Sequence, residues 1–150
     1  RPDGARAVPT SGEETVKRRR ARAVEAQALA LAENADVIEI VRTRFVDDQP
    51  IAHERIVVPR EYFPDLDRHA PLPNTLYALY QREYGINIVS TEERLRADVA
   101  RREDTRRLRL PAGSPLLQVE RVALSVNGKR VEWRLSRCDT STLTYAVTLT

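Results

Sequence analysis

Two arginines two positions apart, Arg42 and Arg44, lie in the run VIEIVRTRFV. In an extended chain alternate side chains share a face. Ile38, Ile40, Arg42 and Arg44 therefore form one face that begins apolar and ends doubly cationic. Two guanidinium groups so spaced make a fork suited to phosphate or carboxylate. The next strand pattern, IAHERIVV, places Glu54 on a face with Ala52, Ile56 and Val58, a carboxylate among apolar neighbours. A connecting loop of three or five residues would set Arg44 opposite Glu54, and one of two or four would set it opposite His53. On spacing alone, a surface ladder of paired charges is the simpler account of these residues.

A second candidate follows Asn74. A helix over residues 75–84, capped by Asn74 or Thr75 and stopped by Gly85, would offer free backbone N–H groups to an anion. Thr75 and Tyr77 would add hydroxyl donors there, although Leu76, Leu79 and Tyr80 equally describe a helix that only packs on a sheet. A third candidate is Glu132, on the hairpin around Asn127-Gly128, a dipeptide that favours a two-residue type I′ turn. That register pairs Leu124 with Val131 and Val122 with Trp133 on a core face. Arg121, Ala123, Arg130, Glu132 and Arg134 go to the other, where Glu132 is a ligand acceptor or one member of a solvated charge cluster. Cys138 has no histidine nearby in sequence and reads as an unreactive small residue. His53 and His69 lack a third metal ligand, and no glycine-rich phosphate loop or nucleophile elbow is present. These residues point to no catalytic constellation, metal or cofactor.

The elements that must position these side chains are mostly strands. Residues 36–46 and 51–58 form a hairpin, and residues 60–73 are irregular. Residues 87–100, 116–126, 129–138 and 143–149 read as further strands. Short helical patterns cover residues 23–33 and 103–110. The class is α+β, a mainly antiparallel sheet with short flanking helices. The chain has 150 residues, 41% apolar and 31% charged, with no run approaching the ~18 apolar residues that span a bilayer. No signal peptide is recognisable, so a cytoplasmic setting is expected. Residues 1–22 carry seven basic and three acidic side chains, and the other 128 carry eighteen and nineteen, so the net charge of +3 resides at the N-terminal end. The body has no cationic field of the kind that steers nucleic acid. The basic run Lys17–Arg22 reads as a solvated strand or helix start, and residues 1–14 as a linker or tail.

The runs VRTRFVDDQPIAHERIVVPREYFPDL, NTLYALYQREYGI and ERLRADVARREDTRRLRLPAGSPLLQVERVALSVNGKRVEW occur in an order and spacing that resembles the UTRA effector-binding domain of GntR-type transcription regulators of the HutC subfamily, over residues 15–150. The resemblance implies a chorismate lyase-like fold and a homodimer. It also implies a pocket for a small anionic metabolite, such as a sugar phosphate or an organic acid. Arg42 and Arg44 match the family's R-x-R motif, Glu54 its strand-two acid, Thr75 and Tyr77 its helix-start hydroxyl and tyrosine, and Glu132 an acid that would accept from ligand hydroxyls or an amine. Thr75 stands where members often have serine, Cys138 where they often have tyrosine, and Asp48-Gln49 where the first turn is usually Asp-Gly. Operator DNA would be bound only through a winged helix-turn-helix that this chain, starting Arg1-Pro2-Asp3, does not include. The alternative is a small enzyme on the same fold, for which Glu54 and His53 are the nearest acid/base pair.

Overall fold

The computed structural model describes residues 9–141. In chain order the elements are β1 (Thr10–Arg20), α1 (Ala23–Leu29), β2 (Asp36–Val46), β3 (Gln49–Pro59), a single 3-10 turn (Leu66–His69), α2 (Leu76–Tyr84), β4 (Ile88–Val99), α3 (Arg102–Leu108), β5 (Pro115–Ser125) and β6 (Arg130–Cys138). The six strands form one sheet in the order β1-β2-β3-β6-β5-β4, every neighbouring pair antiparallel. The α+β class expected from the alternating patterns is the one observed. The strand expected over residues 143–149 lies outside the described residues.

Because strand side chains alternate, the sheet has two separately furnished faces. On the first, Ile38, Ile40, Ile56 and Val58 pack with Phe63, Leu66, Leu76, Leu79 and Tyr80, so α2 and the irregular segment before it form the lid of this face. On the second, Val37, Val57, Val122 and Trp133 pack with Ala26 and Leu29 of α1. Helix α3 covers the same face farther along, through Leu108 on Ala100 and Leu116.

Charged groups anchor both helices of the second face. Glu25 of α1 receives two 2.7 Å hydrogen bonds from Arg19, which also donates to the buried Glu39 at 2.8 Å. Asp104 of α3 accepts from His53 Nε2 at 2.6 Å, from Arg137 at 2.8 and 3.0 Å, and from the Arg101 amide at 2.9 Å. Burial would raise the Asp104 carboxyl, but Arg137 and the other donors hold it well below the usual carboxylate range. Burial lowers the His53 pKa and outweighs the pull of Asp104. The unfolded chain therefore takes up a proton where the folded one does not. Stability is full above the ordinary histidine value of about 6.5 and falls as pH drops through it towards the folded pKa. We expect the guanidinium unfolding midpoint to fall between pH 7.5 and 5.5, and His53→Gln, which keeps a donor for Asp104, to flatten that step.

Four expectations are corrected. First, β1 starts at Thr10, so residues 10–14 are strand and not linker; the basic run, read as a strand or a helix start, continues that strand to Arg20 and ends at Arg22, the N-cap of α1. Its Arg18 is bound to Asp65 and Asp67 and its Arg19 to Glu25 and Glu39, which consumes much of its charge. Second, the first hairpin turns on Asp47 and Asp48, both at positive φ, with Val46 opposite Gln49. An extra residue, Ile51, then shifts the register, so Arg44 faces Ala52 and it is Arg42 that faces Glu54. Neither register anticipated a bulge. Third, at Asn127-Gly128 only Gly128 has positive φ (73°). The Gly128 amide bonds to Ser125 O and the Ser125 amide to Lys129 O, a three-residue turn ending in a glycine bulge rather than type I′. Val122 still faces Trp133, but Leu124 faces Arg130 instead of Val131. Fourth, the helices are shorter than their patterns, because Ala30 and Arg109 end α1 and α3 in the left-handed conformation.

Candidate functional site

The cationic end of the first face is where the singled-out residues meet. Strand β2 brings Arg42 and Arg44, β3 brings Glu54, β6 brings Glu132 and Arg134, β5 brings Arg121, and α2 lays Tyr77 and Tyr80 over them. This is no surface ladder: Arg42 is 1% exposed and Glu132 is fully buried. Burying that many charges requires close pairing. Arg42 Nε donates to Glu54 Oε2 at 3.1 Å. Arg134 grips Glu132 through Nε and Nη2, both at 3.0 Å, and lies 3.7 Å from Glu54. Arg121 Nε donates to Glu93 at 2.9 Å. Burial would raise the Glu54 carboxyl, yet Arg134 and Arg42 outweigh it and hold the group below its ordinary value.

The pairing leaves one cation over. Three carboxylates serve Arg42, Arg134 and Arg121, whereas Arg44 has no carboxylate partner among the described residues. Its Nη1 donates to Ser11 Oγ and to Asn74 Oδ1, the latter at 2.8 Å. Burial, followed by the like charges of Arg42 and Arg134, makes Arg44 hold its proton less tightly than usual. A half-buried guanidinium among other guanidinium groups is stabilised by any anion that reaches it. Tyr77 adds a donor at the same place. Its Oη is buried close to Arg121 without a hydrogen bond of normal geometry, and its ring carries the Arg134 guanidinium 5.5 Å from the centroid.

The other expected residues fall out differently. Thr75 occupies the N-cap of α2 and is exposed, and its side chain makes no capping bond. The polar contact to Arg44 comes instead from Asn74, which is also tied to Pro9 O at 2.7 Å. Glu132 belongs to the cluster, but Arg134 takes both of its oxygens and Tyr80 Oη donates to Oε2 at 2.6 Å, so it serves as scaffold for Arg134. Burial and the neighbouring Glu132 carboxylate push the Tyr80 hydroxyl well above its ordinary pKa, so it remains a donor. Cys138 is pushed up to about 11 by burial and then by Glu54, leaving it a thiol at neutral pH. Sequence reasoning missed Ser11, Asn74, Arg134 and Tyr80 as members of the cluster. Alternation did place Arg134 beside Glu132, but nothing local points to Ser11. A bulge at residues 13–14 of β1 turns it towards Arg44.

Among known families, the profile of the UTRA domain matches residues 6–144. The chain belongs to the UTRA domain family. Among curated proteins, this UTRA domain is 22% identical over 121 residues to the probable fructoselysine utilization operon transcriptional repressor of Escherichia coli K12, covering 81% of this chain and 50% of that one. It is 27% identical over 113 residues to the HTH-type transcriptional regulator GgaR of the same strain, covering 75% and 44%. The chain thus spans about half the length of the curated relatives it matches. Among solved structures it superposes with a TM-score of 0.91 and 28% identity on one described as the ligand-binding domain of a GntR-family transcriptional regulator from Bordetella bronchiseptica, covering all of this chain and 95% of that one. The effector domain of PhnF from Mycobacterium smegmatis shares the fold, with a TM-score of 0.82 at 20% identity over 95% and 88% of the two chains. The match begins at residue 6, within the stretch expected to be linker, in keeping with a first strand at Thr10. The named relatives are transcriptional regulators, and no described helix is long and apolar enough to cross a membrane.

Proposed function

We propose that this UTRA domain senses a small anionic metabolite, a sugar phosphate or an organic acid, whose anionic group docks on Arg44 beside Arg42, Ser11 and the start of α2. The observation that carries this reading is that Arg44 has no carboxylate partner among the described residues, in a cluster where three other arginines each have one. Tyr77 supplies a free hydroxyl to the body of the ligand, and Thr75 lines the mouth. Glu54 and Glu132 act by fixing Arg42 and Arg134. In the intact regulator, a cytoplasmic homodimer of the HutC type, occupancy would bias the placement of two winged helix-turn-helix heads on operator DNA. A coupling of about 1–3 kcal/mol is sufficient for such control. A thermal-shift screen of phosphosugars, amino acids and organic acids, followed by titration calorimetry, tests the reading. Saturable binding of one anion per chain is expected. If only uncharged compounds stabilise the domain, the reading fails.

An enzymatic reading on this fold needs Glu54 and His53 to act together. They are neighbours on β3 and point to opposite faces, Glu54 to Arg42 and His53 to Asp104. We therefore expect no turnover of chorismate in an absorbance assay. Nor should this chain alone bind duplex DNA in a mobility-shift assay, since Arg18 and Arg19 of the basic run are already ion-paired.

A further inference from the structure

The second face of the sheet carries a groove to which the effector reading assigns nothing. It runs between the start of α1 and the edge strand β4, encloses about 640 Å³, and has Trp133 and Leu135 on its floor with the half-exposed Val24 on its wall. A neighbouring hollow of about 420 Å³ shares Val24, Arg94 and Glu120, so the groove continues along α1. Cavities of this size suit a small organic molecule.

Its outer rim is a second arginine fork. Arg94 and Arg96 pair in register with Glu120 and Gln118, which puts both guanidinium groups on the groove side. Both are exposed, and neither has a carboxylate partner among the described residues. The acids beside them are engaged: Glu25 is held by Arg19, and Glu120 accepts from Trp133 Nε1 at 2.9 Å. Arg55, at the inner end, leans on Glu39 at 3.3 Å. The groove therefore combines an apolar, indole-bearing floor with two exposed cations two residues apart, Arg96 opposite the neutral Gln118 and Arg94 opposite the Glu120 carboxylate. An anionic head would meet the fork while a flat apolar body covers Leu135 and Val24.

We propose that this groove is a second ligand site, selective for a small amphipathic anion such as an aromatic carboxylate or sulfonate. It is independent of the Arg44 site, although β6 serves both: Glu132 and Arg134 face one and Trp133 and Leu135 the other. The rival account is that Arg94 and Arg96 only guard an edge strand against pairing with other chains.

Trp133 is the only tryptophan in the sequence and lines this groove, so its emission must respond when a probe settles there, while the R94A/R96A variant shows that the groove holds the probe. The probe is 1-anilinonaphthalene-8-sulfonate, which accepts energy from tryptophan, and its uncharged analogue N-phenyl-1-naphthylamine is the control. Saturable binding of one sulfonate per chain is expected, with quenching of Trp133, affinity at least about tenfold lower in the R94A/R96A double variant, and unchanged affinity in Arg44→Ala. Equal affinity in the double variant, binding without quenching of Trp133, or equal affinity for the uncharged analogue would overturn the proposal. So would binding that appears only on dilution from a dimer to a monomer, because a second copy would then occupy the groove.

Discussion

Arg44→Ala is expected to abolish the stabilisation that the proposed anionic effector confers and to leave the unliganded domain about as stable as before. A ligand at a hundred times its Kd stabilises the state it binds by about 2.7 kcal/mol. For a chain of this size that corresponds to a Tm increase of about 5–10 °C. The variant should show less than about 2 °C at the same concentration. Its own Tm should change little, because Arg44 has no salt-bridged carboxylate among the described residues and the repulsion from Arg42 and Arg134 that its removal relieves offsets the lost attraction to Glu54. Arg44→Lys should recover part of the shift, since the charge returns without the planar fork. A scan with and without ligand decides the matter. A variant that retains the full ligand-induced shift removes Arg44 from the anion site.

Glu132→Ala should be the most damaging single change among the residues of the cluster. It leaves Arg134 without its bidentate partner and the Tyr80 hydroxyl without an acceptor, both in a buried setting. Removing one member of a buried pair costs about 3–5 kcal/mol. The Tm would fall by on the order of 10 °C, and the guanidinium midpoint would move with little change of slope. The double replacement E132L/R134L should recover most of that loss, because it removes both buried charges together. If Glu132→Ala folds with wild-type stability and loses only ligand affinity, Glu132 is a ligand acceptor after all and its scaffold role is wrong.

Much of this fold is legible in the chain because strand alternation is a local signal. Residues 36–46, 51–58 and 116–138 show it, and the structure places sheet strands there. The first half of β1 reads as linker because TSGEETVKRRR, at the sheet's edge, has little apolar alternation; its pairing with β2 makes it a strand. Register was legible only where no bulge intervened. The extra residue at Ile51 and the bulge after Gly128 depend on how each hairpin fits its neighbouring strands. At the site, the residue types singled out Arg42, Arg44 and Glu54, and the structure places these three side by side. What they could not show was which acid neutralises which arginine, since that follows from register and from α2 descending on the sheet. The His53, Asp104 and Arg137 cluster lies deeper still: its members come from three separate elements and share no local pattern.

The bulge at Ile51 also bears on how chains of this kind can change length. Between Ala52 and Pro59 each residue of β3 is committed to one side: Glu54 to the arginines, His53 to Asp104, Ile56 and Val57 to opposite cores. One inserted or deleted residue there would send Glu54 towards α3 and His53 among the arginines, ruining both sides together. On the turn side of Ile51, gaining or losing a residue alters only the exposed Asp47-Asp48 tip. Length variation among descendants of this sequence should accumulate before Ala52 and stop there.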